Sequence, residues 1–280
     1  MRAGLYHPDE FKDNCGFGLI AHMQGEASHH LLQTAIDALT CMTHRGGINA
    51  DGKTGDGCGL LMQKPDAFLR AMAQKHFNAD LPPQYAVGMV FLSQDSTKAD
   101  AARACVNQEL AAQGLTLVGW REVPQDTSVL GRLALERLPK IEQVFVSGAD
   151  LETQAFDIKL FFSRRRAEVA LKNDSDFYVC SLSQKDIIYK GLMMPADLQQ
   201  FYPDLGDPLL QTAICVFHQR FSTNTLPKWP LAQPFRYLAH NGEINTITGN
   251  RNWAQARRAK FSNDLLPGLE DIAPLVNRTG

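Results

Sequence analysis

An α+β fold with stacked sheets between helix layers is the architecture this sequence predicts. Extended segments occur in neighbouring runs as well as in alternation with helices, which a simple doubly wound sheet does not produce. The uninterrupted apolar runs Tyr85–Leu92 and Ala213–Phe217 read as strands. Hydrophobic residues make up 44 % of the 280 and charged residues 21 %, the balance of a folded globular chain. That length suits one large domain or a domain with a sizeable insertion. Periodicity alone leaves other α/β layouts open.

Taken in order, Cys15–Met23 reads as a strand. Ser28–Thr43 follows as a helix with Leu31, Leu32, Ala35, Ile36, Leu39 and Met42 on one face, stopped by Gly46-Gly47. Gly59–Gln63 is a second strand, and Pro65–Phe77 a helix opened by its proline. Gln84–Leu92 is extended. The segment 93–177 continues the alternation and reads as an elaboration within the domain. Ala99–Ala112 is helical, Thr116–Trp120 and Val144–Ser147 are extended, and Phe156–Leu171 is helical. Phe177–Leu182 and Ile187–Lys190 form a hairpin. A short helix over Pro195–Phe201 precedes the strand Ala213–His218, and Asn252–Phe261 is helical.

A formal charge of −2 argues against a nucleic-acid partner, which demands a basic surface. The triplet Arg164-Arg165-Arg166 reads as a solvated helix face. No apolar run reaches the length of a membrane span. The first fourteen residues carry Asp9, Glu10, Lys12 and Asp13 without an apolar centre, so they are no signal peptide. Cysteines 15, 41, 58, 105, 180 and 215 are scattered with no C-x-x-C pair, which suits neither a metal site nor a disulfide framework. A cytoplasmic protein is expected, with no metal and no cofactor in this segment.

Chemistry concentrates between His218 and Asn245. The strand Ala213–His218 delivers Arg220 and Thr223 to its polar end. Arg220 offers a planar fork suited to a carboxylate, which a lysine binds less specifically. Asn241 brings a side-chain N–H and Gly242 an unshielded backbone N–H, the paired donors that an oxyanion needs. Such an array calls for a nucleophile. Cys15 alone, at the start of an apolar strand, reads as a small buried hydrophobe; Gly16 and Gly18 beside it, with the distant Arg and Asn-Gly array, favour a catalytic thiol.

The ordered set Cys15-Gly-Phe-Gly, His44-Arg45-Gly46, Thr54-Gly-Asp-Gly-Cys-Gly59, His218-Gln-Arg-Phe-Ser-Thr-Asn-Thr225 and Ala239-His-Asn-Gly-Glu243 resembles the class II glutamine amidotransferases. The whole chain looks like the amino-terminal amidotransferase domain of the glutamate synthase large subunits. The resemblance implies a four-layer αββα sandwich of the N-terminal-nucleophile hydrolase type. It implies that Met1–Asn14 is a pro-segment and that the domain spans 15–280. It further implies that Cys15 attacks L-glutamine with its own α-amine as base, and that Arg220 and Thr223 hold the substrate carboxylate. Trp229 belongs to a lid over the glutamine, and Arg45 supports the loops around the nucleophile. FMN, iron–sulfur clusters, a synthase region of the same polypeptide and a small NADPH-oxidising subunit are expected outside this segment. So is an acidic residue for the substrate ammonium, which leaves the domain C-terminally incomplete.

Other readings stand beside these. Gly47-Ile-Asn-Ala-Asp-Gly-Lys-Thr54 matches the P-loop pattern literally, but a helix precedes it, glycines follow it, and Asp51 and Asp56 oppose phosphate. His44-Arg45 reads equally as a cap on a helix C-terminus. His218 and His240 read as buried, hydrogen-bonded histidines, with a Cys–His dyad as the alternative. Trp229 suits plain core. For the whole chain, the alternatives are a non-catalytic scaffold or regulatory domain, or the amidotransferase domain of another biosynthetic enzyme.

Overall fold

The computed structural model describes residues 16–220, 228–236, 246–264 and 266–272. In chain order the elements are β1 (Phe17–Ala21), α1 (His29–Cys41), β2 (Cys58–Gln63), α2 (Asp66–Phe77), β3 (Tyr85–Leu92), α3 (Ser96–Ala112), β4 (Thr116–Glu122), α4 (Arg132–Leu135), β5 (Lys140–Ser147), α5 (Thr153–Ala170), β6 (Tyr178–Ser183), β7 (Asp186–Gly191), α6 (Leu198–Phe201), β8 (Ile214–Gln219) and α7 (Thr248–Ala256). They form two four-stranded sheets, ordered β1-β8-β2-β7 and β4-β5-β3-β6, antiparallel throughout. Helix α1 lies on β1 and β8, while α3 and α5 pack together over the second sheet. Two sheets with flanking helices are what the expected sandwich requires. The segment 93–177 is built into this scaffold, since β5 pairs with β3 along the whole length of both strands.

Strand β3 shows why its apolar run has no polar positions. Tyr85, Val87, Met89 and Phe91 enter a core shared by both sheets with α1, α2 and α6. Ala86, Val90 and Leu92 enter a second core beneath α3 and α5. Each face of the pleat is therefore buried against a different layer.

Several boundaries move for local reasons. The Ser28 hydroxyl caps α1 by accepting from the Leu31 N–H at 3.2 Å. The Asp95 carboxylate accepts from Thr97 and Lys98 N–H groups at 2.8 and 3.2 Å, starting α3 ahead of its first apolar residue. Strand β5 begins at Lys140 because its polar residues have buried partners: Glu142 pairs with Arg103 of α3 at 2.7 Å, and Gln143 accepts from Arg121 at 2.8 Å. Helix α7 stops at Ala256, and a 3₁₀ turn over Arg258–Lys260 follows.

The basic triplet is not a solvated face. Arg164 and Arg165 both bind Glu168, at 2.7 and 2.5 Å, and their side chains are largely covered. Arg165 also donates to the Ile272 carbonyl at 3.3 Å, so this stretch of α5 receives the apolar 266–272 segment. Charge alone suggested solvent; the long apolar stems of arginine let the same residues bury.

Lys190 of β7 is 1 % exposed. Its ammonium donates to the Pro230 carbonyl at 2.7 Å and lies over the rings of Tyr178 and Phe235 at 4.8 and 4.9 Å. Burial pushes its pKa down to about 8, whereas an unfolded lysine titrates near about 10.4. The fold therefore disfavours the charged form, and this penalty, full below pH 8, fades as pH rises toward the unfolded value. From pH 7 to pH 10 the stability difference between wild type and Lys190→Met should move in favour of wild type by at most about 3 kcal/mol. Urea unfolding at each pH checks this; parallel curves would mean that Lys190 is not held in an apolar setting.

Candidate active site

The end of β8 assembles the described part of the site. Antiparallel pairing sets Phe17 opposite His218 and Cys58 opposite Gln219. The Gln219 N–H donates to the Gly16 carbonyl at 2.7 Å. His218 is buried and stacks on Phe17, ring centroids 6.2 Å apart and 13° from parallel.

The next residue breaks the strand. Arg220 has φ +97°, in the left-handed region that favours glycine. Such a conformation costs on the order of 1–3 kcal/mol and persists only where neighbours over-determine it. Here the Arg220 N–H donates to the Gly57 carbonyl at 2.9 Å. One guanidinium nitrogen reaches the Arg45 carbonyl at 3.4 Å, and Nε lies 3.8 Å from Asp56 Oδ2. The Arg220 side chain stays 40 % exposed. A guanidinium held by a kink, flanked by an acid and partly open presents a planar fork of N–H donors to solvent.

The loop between α1 and β2 supplies its partners. A 3₁₀ turn over Thr43–Arg45 extends α1. His44 Nδ1 lies 3.1 Å from the Cys41 carbonyl, which only accepts, so the ring donates and caps the helix end. The Asp56 N–H then donates to the Gly47 carbonyl at 3.1 Å, and the Asp56 carboxylate accepts from the Gly47 N–H at 2.7 Å. A Cβ on Gly47 would come within 2.8 Å of that carboxylate. Gly52, at φ +69°, turns the tip of the loop. Asp51 beside it accepts from Lys53 N–H, Thr54 N–H and the Thr54 hydroxyl at 3.1, 2.8 and 2.5 Å, and from the Leu133 N–H at 3.0 Å. The Thr54 hydroxyl above all holds the Asp51 carboxyl well below the usual carboxylate range. The loop leads into strand β2, and a carboxylate occupies its N–H donors, so it is no phosphate cradle.

Trp229 lies in the core, 2 % exposed. Its indole donates to the Ala134 carbonyl at 3.1 Å and packs edge-on against Phe91 at 6.1 Å. A Cβ on Gly191 would meet the ring at 2.4 Å. With the neighbouring Pro230 held by Lys190, the 228–236 segment is pinned at two adjacent residues.

The site residues thus divide. Arg220 and Arg45 meet, Trp229 anchors the following segment from below, and Cys15, Thr223, Asn241 and Gly242 lie outside the described residues. Asp56 and Gln219 had no assigned role in the sequence. For Asp56 the signal was an acid between two glycines of a loop too tight to leave it idle. Burial pushes the Cys58 thiol far up and those of Cys180 and Cys215 to about 12. Among the described residues no cluster of His, Cys, Asp or Glu fits a metal ion, and no helix is long and apolar enough to cross a membrane.

The family model for class II glutamine amidotransferases matches residues 15–280, beginning at Cys15. The chain belongs to the class II glutamine amidotransferases. Among curated proteins it is similar to the glutamate synthase [NADPH] large chains of Azospirillum brasilense, 40 % identical over 98 % of this chain, and Bacillus subtilis, 41 % identical over 99 %. It is 44 % identical over 93 % of its length to the chloroplastic ferredoxin-dependent glutamate synthase of Oryza sativa subsp. japonica. The amidotransferase chain spans only 18, 18 and 16 % of these relatives.

Proposed function

We propose that this domain carries out the ammonia-producing half-reaction of a glutamate synthase. The observation that carries the reading is Arg220, forced into a left-handed backbone between the Arg45 carbonyl and Asp56. It stands at the end of the strand that pairs with Gly16, the covalent neighbour of Cys15. Burial raises the pKa values of the thiols at 58, 180 and 215 and makes them poor nucleophiles. Among the other three, at 15, 41 and 105, the choice of Cys15 follows from its place beside Gly16, which bonds to the strand leading to Arg220.

In this reading Cys15 attacks the side-chain carbonyl of L-glutamine, and its α-amine takes the thiol proton. An α-amine titrates near about 7.7–8.0, close to working pH. Asn241 and Gly242 stabilise the oxyanion. The C–N bond breaks, the proton goes to the departing nitrogen, and ammonia leaves from a cysteinyl thioester. Water then releases glutamate. Arg220 and Thr223 hold the substrate carboxylate, Arg45 and Asp56 orient Arg220, and Trp229 holds the 228–236 segment in place. A synthase region of the same polypeptide, carrying FMN and iron–sulfur clusters, would use the ammonia to aminate 2-oxoglutarate. NADPH would enter through a small partner subunit in the cytoplasm.

The α-amine becomes available only if Met1–Asn14 is removed as a pro-segment. Intact-mass spectrometry of active protein should therefore show Cys15 first; full activity with Met1–Asn14 attached would rule out the amine as base. Arg220→Lys should chiefly raise KM, because a point charge replaces a fork. Asn241→Ala should chiefly lower kcat, by about 10²–10³. Steady-state kinetics with the opposite split would exchange the two roles.

A further inference from the structure

Gln219, between the buried His218 and the strained Arg220, has no part in the chemistry above. It is 0 % exposed. Among the described residues, neither its amide oxygen nor its amide nitrogen has a hydrogen-bond partner. Buried amides are nearly always paired, so an unpaired one calls for an explanation. A side chain that makes no hydrogen bond acts through its shape, and the shape has a defined counterpart. A Cβ on Gly46 would lie 1.9 Å from the Gln219 amide nitrogen and 3.0 Å from its carbon. The amide therefore fills the space that glycine leaves open. The end of a long side chain ordinarily swings aside from such a collision, but this one is enclosed all round.

The peptide unit it presses on is the one Arg220 uses. The carbonyl of Arg45, joined directly to the Gly46 nitrogen, accepts from the Arg220 guanidinium at 3.4 Å. Two consecutive residues at the end of β8 thus grip one peptide, Gln219 at the Gly46 Cα and Arg220 at the Arg45 oxygen. We propose that Gln219 is a positioning residue: it wedges against Gly46, fixes the Arg45–Gly46 peptide, and so aims the Arg220 guanidinium at the substrate carboxylate. This rests on the function proposed above.

Shape and hydrogen bonding are separable by substitution in the full chain. Gln219→Ala removes the wedge and should raise KM for glutamine about tenfold, with kcat held within about twofold. Gln219→Met keeps the length without the amide; it should restore wild-type KM and raise Tm, because two unpaired polar atoms are gone. Gly46→Ala should raise KM as Gln219→Ala does, and the double variant Gly46→Ala/Gln219→Ala should recover, its new methyl filling the vacated space. Wild-type KM in Gln219→Ala, or a Gln219→Met variant as impaired as Gln219→Ala, overturns the proposal. Should the wild type itself release no ammonia from glutamine, the functional reading fails, and with it the aim ascribed to Arg220. The wedge is then decided by Tm: a double variant more stable than Gly46→Ala supports it, and additive losses overturn it.

Discussion

Cys15→Ala should abolish ammonia release from glutamine, with kcat falling by roughly 10⁴–10⁶, the scale on which removing a nucleophile acts in enzymes that work through a covalent intermediate. The loss should be confined to chemistry. The carboxylate receptor proposed at Arg220 rests on β8, the Arg45 carbonyl and Asp56, none of which Cys15 contributes. Calorimetry should therefore find glutamine still bound by the variant within a few-fold of wild type. Rapid quenching of the wild type with glutamine should reveal a protein adduct heavier by a glutamyl group, absent from the variant. Turnover within tenfold of wild type would remove Cys15 from the mechanism, and turnover without any adduct would replace the thioester by direct hydrolysis.

The largest stability effect is expected far from the site. Arg121 of β4 donates to both carboxylate oxygens of Asp204 at 2.8 and 2.6 Å, and to Gln143 at 2.8 Å. The Gln143 amide donates to the Tyr189 hydroxyl at 3.0 Å, which in turn donates to Asp204 at 3.2 Å. All four residues are buried, so this network ties both sheets and the 3₁₀ turn Pro203–Gly206 together without solvent. Arg121→Met would strand the Asp204 charge and cost about 3–5 kcal/mol. For a chain of this size that lowers Tm by roughly 10 °C. Arg121→Met/Asp204→Leu should lose markedly less, because the stranded charge is what costs most. Differential scanning calorimetry on the three proteins tests this; an Arg121→Met variant melting with wild type would show the pair to be inert.

Why some parts of this fold read easily and others did not follows from what covers them. Strand β3 and helix α1 were plain, since their apolar residues repeat at the period of the element. The first half of β5 was hidden, because Glu142 and Gln143 are polar residues in a strand whose positions are almost all buried. Their partners, Arg103 and Arg121, lie on separate elements, and no local pattern announces such pairs. Arg164 and Arg165 misled in the opposite direction, for the same reason: Glu168 and the 266–272 segment cover them.

Residue type and spacing along the chain were enough to establish the α+β class, most strands and helices and the family, and they are the basis on which the chemistry of a thiol, an arginine fork and an asparagine–glycine pair is proposed. These are local properties or motifs, and a linear string carries them. Which residues meet depends on register and on backbone twist at single positions. Pairing of β8 with β1 and β2 sets Gln219 beside Gly16 and Cys58. A left-handed φ at Arg220 then turns its guanidinium toward Asp56 and the Arg45 carbonyl, residues more than 160 positions earlier in the chain. The same folding buries Trp229 as an anchor and sets the Gln219 amide against Gly46, without a hydrogen-bond partner among the described residues. Long-range packing selects one conformation among those each residue allows, and that selection is what only the tertiary structure records.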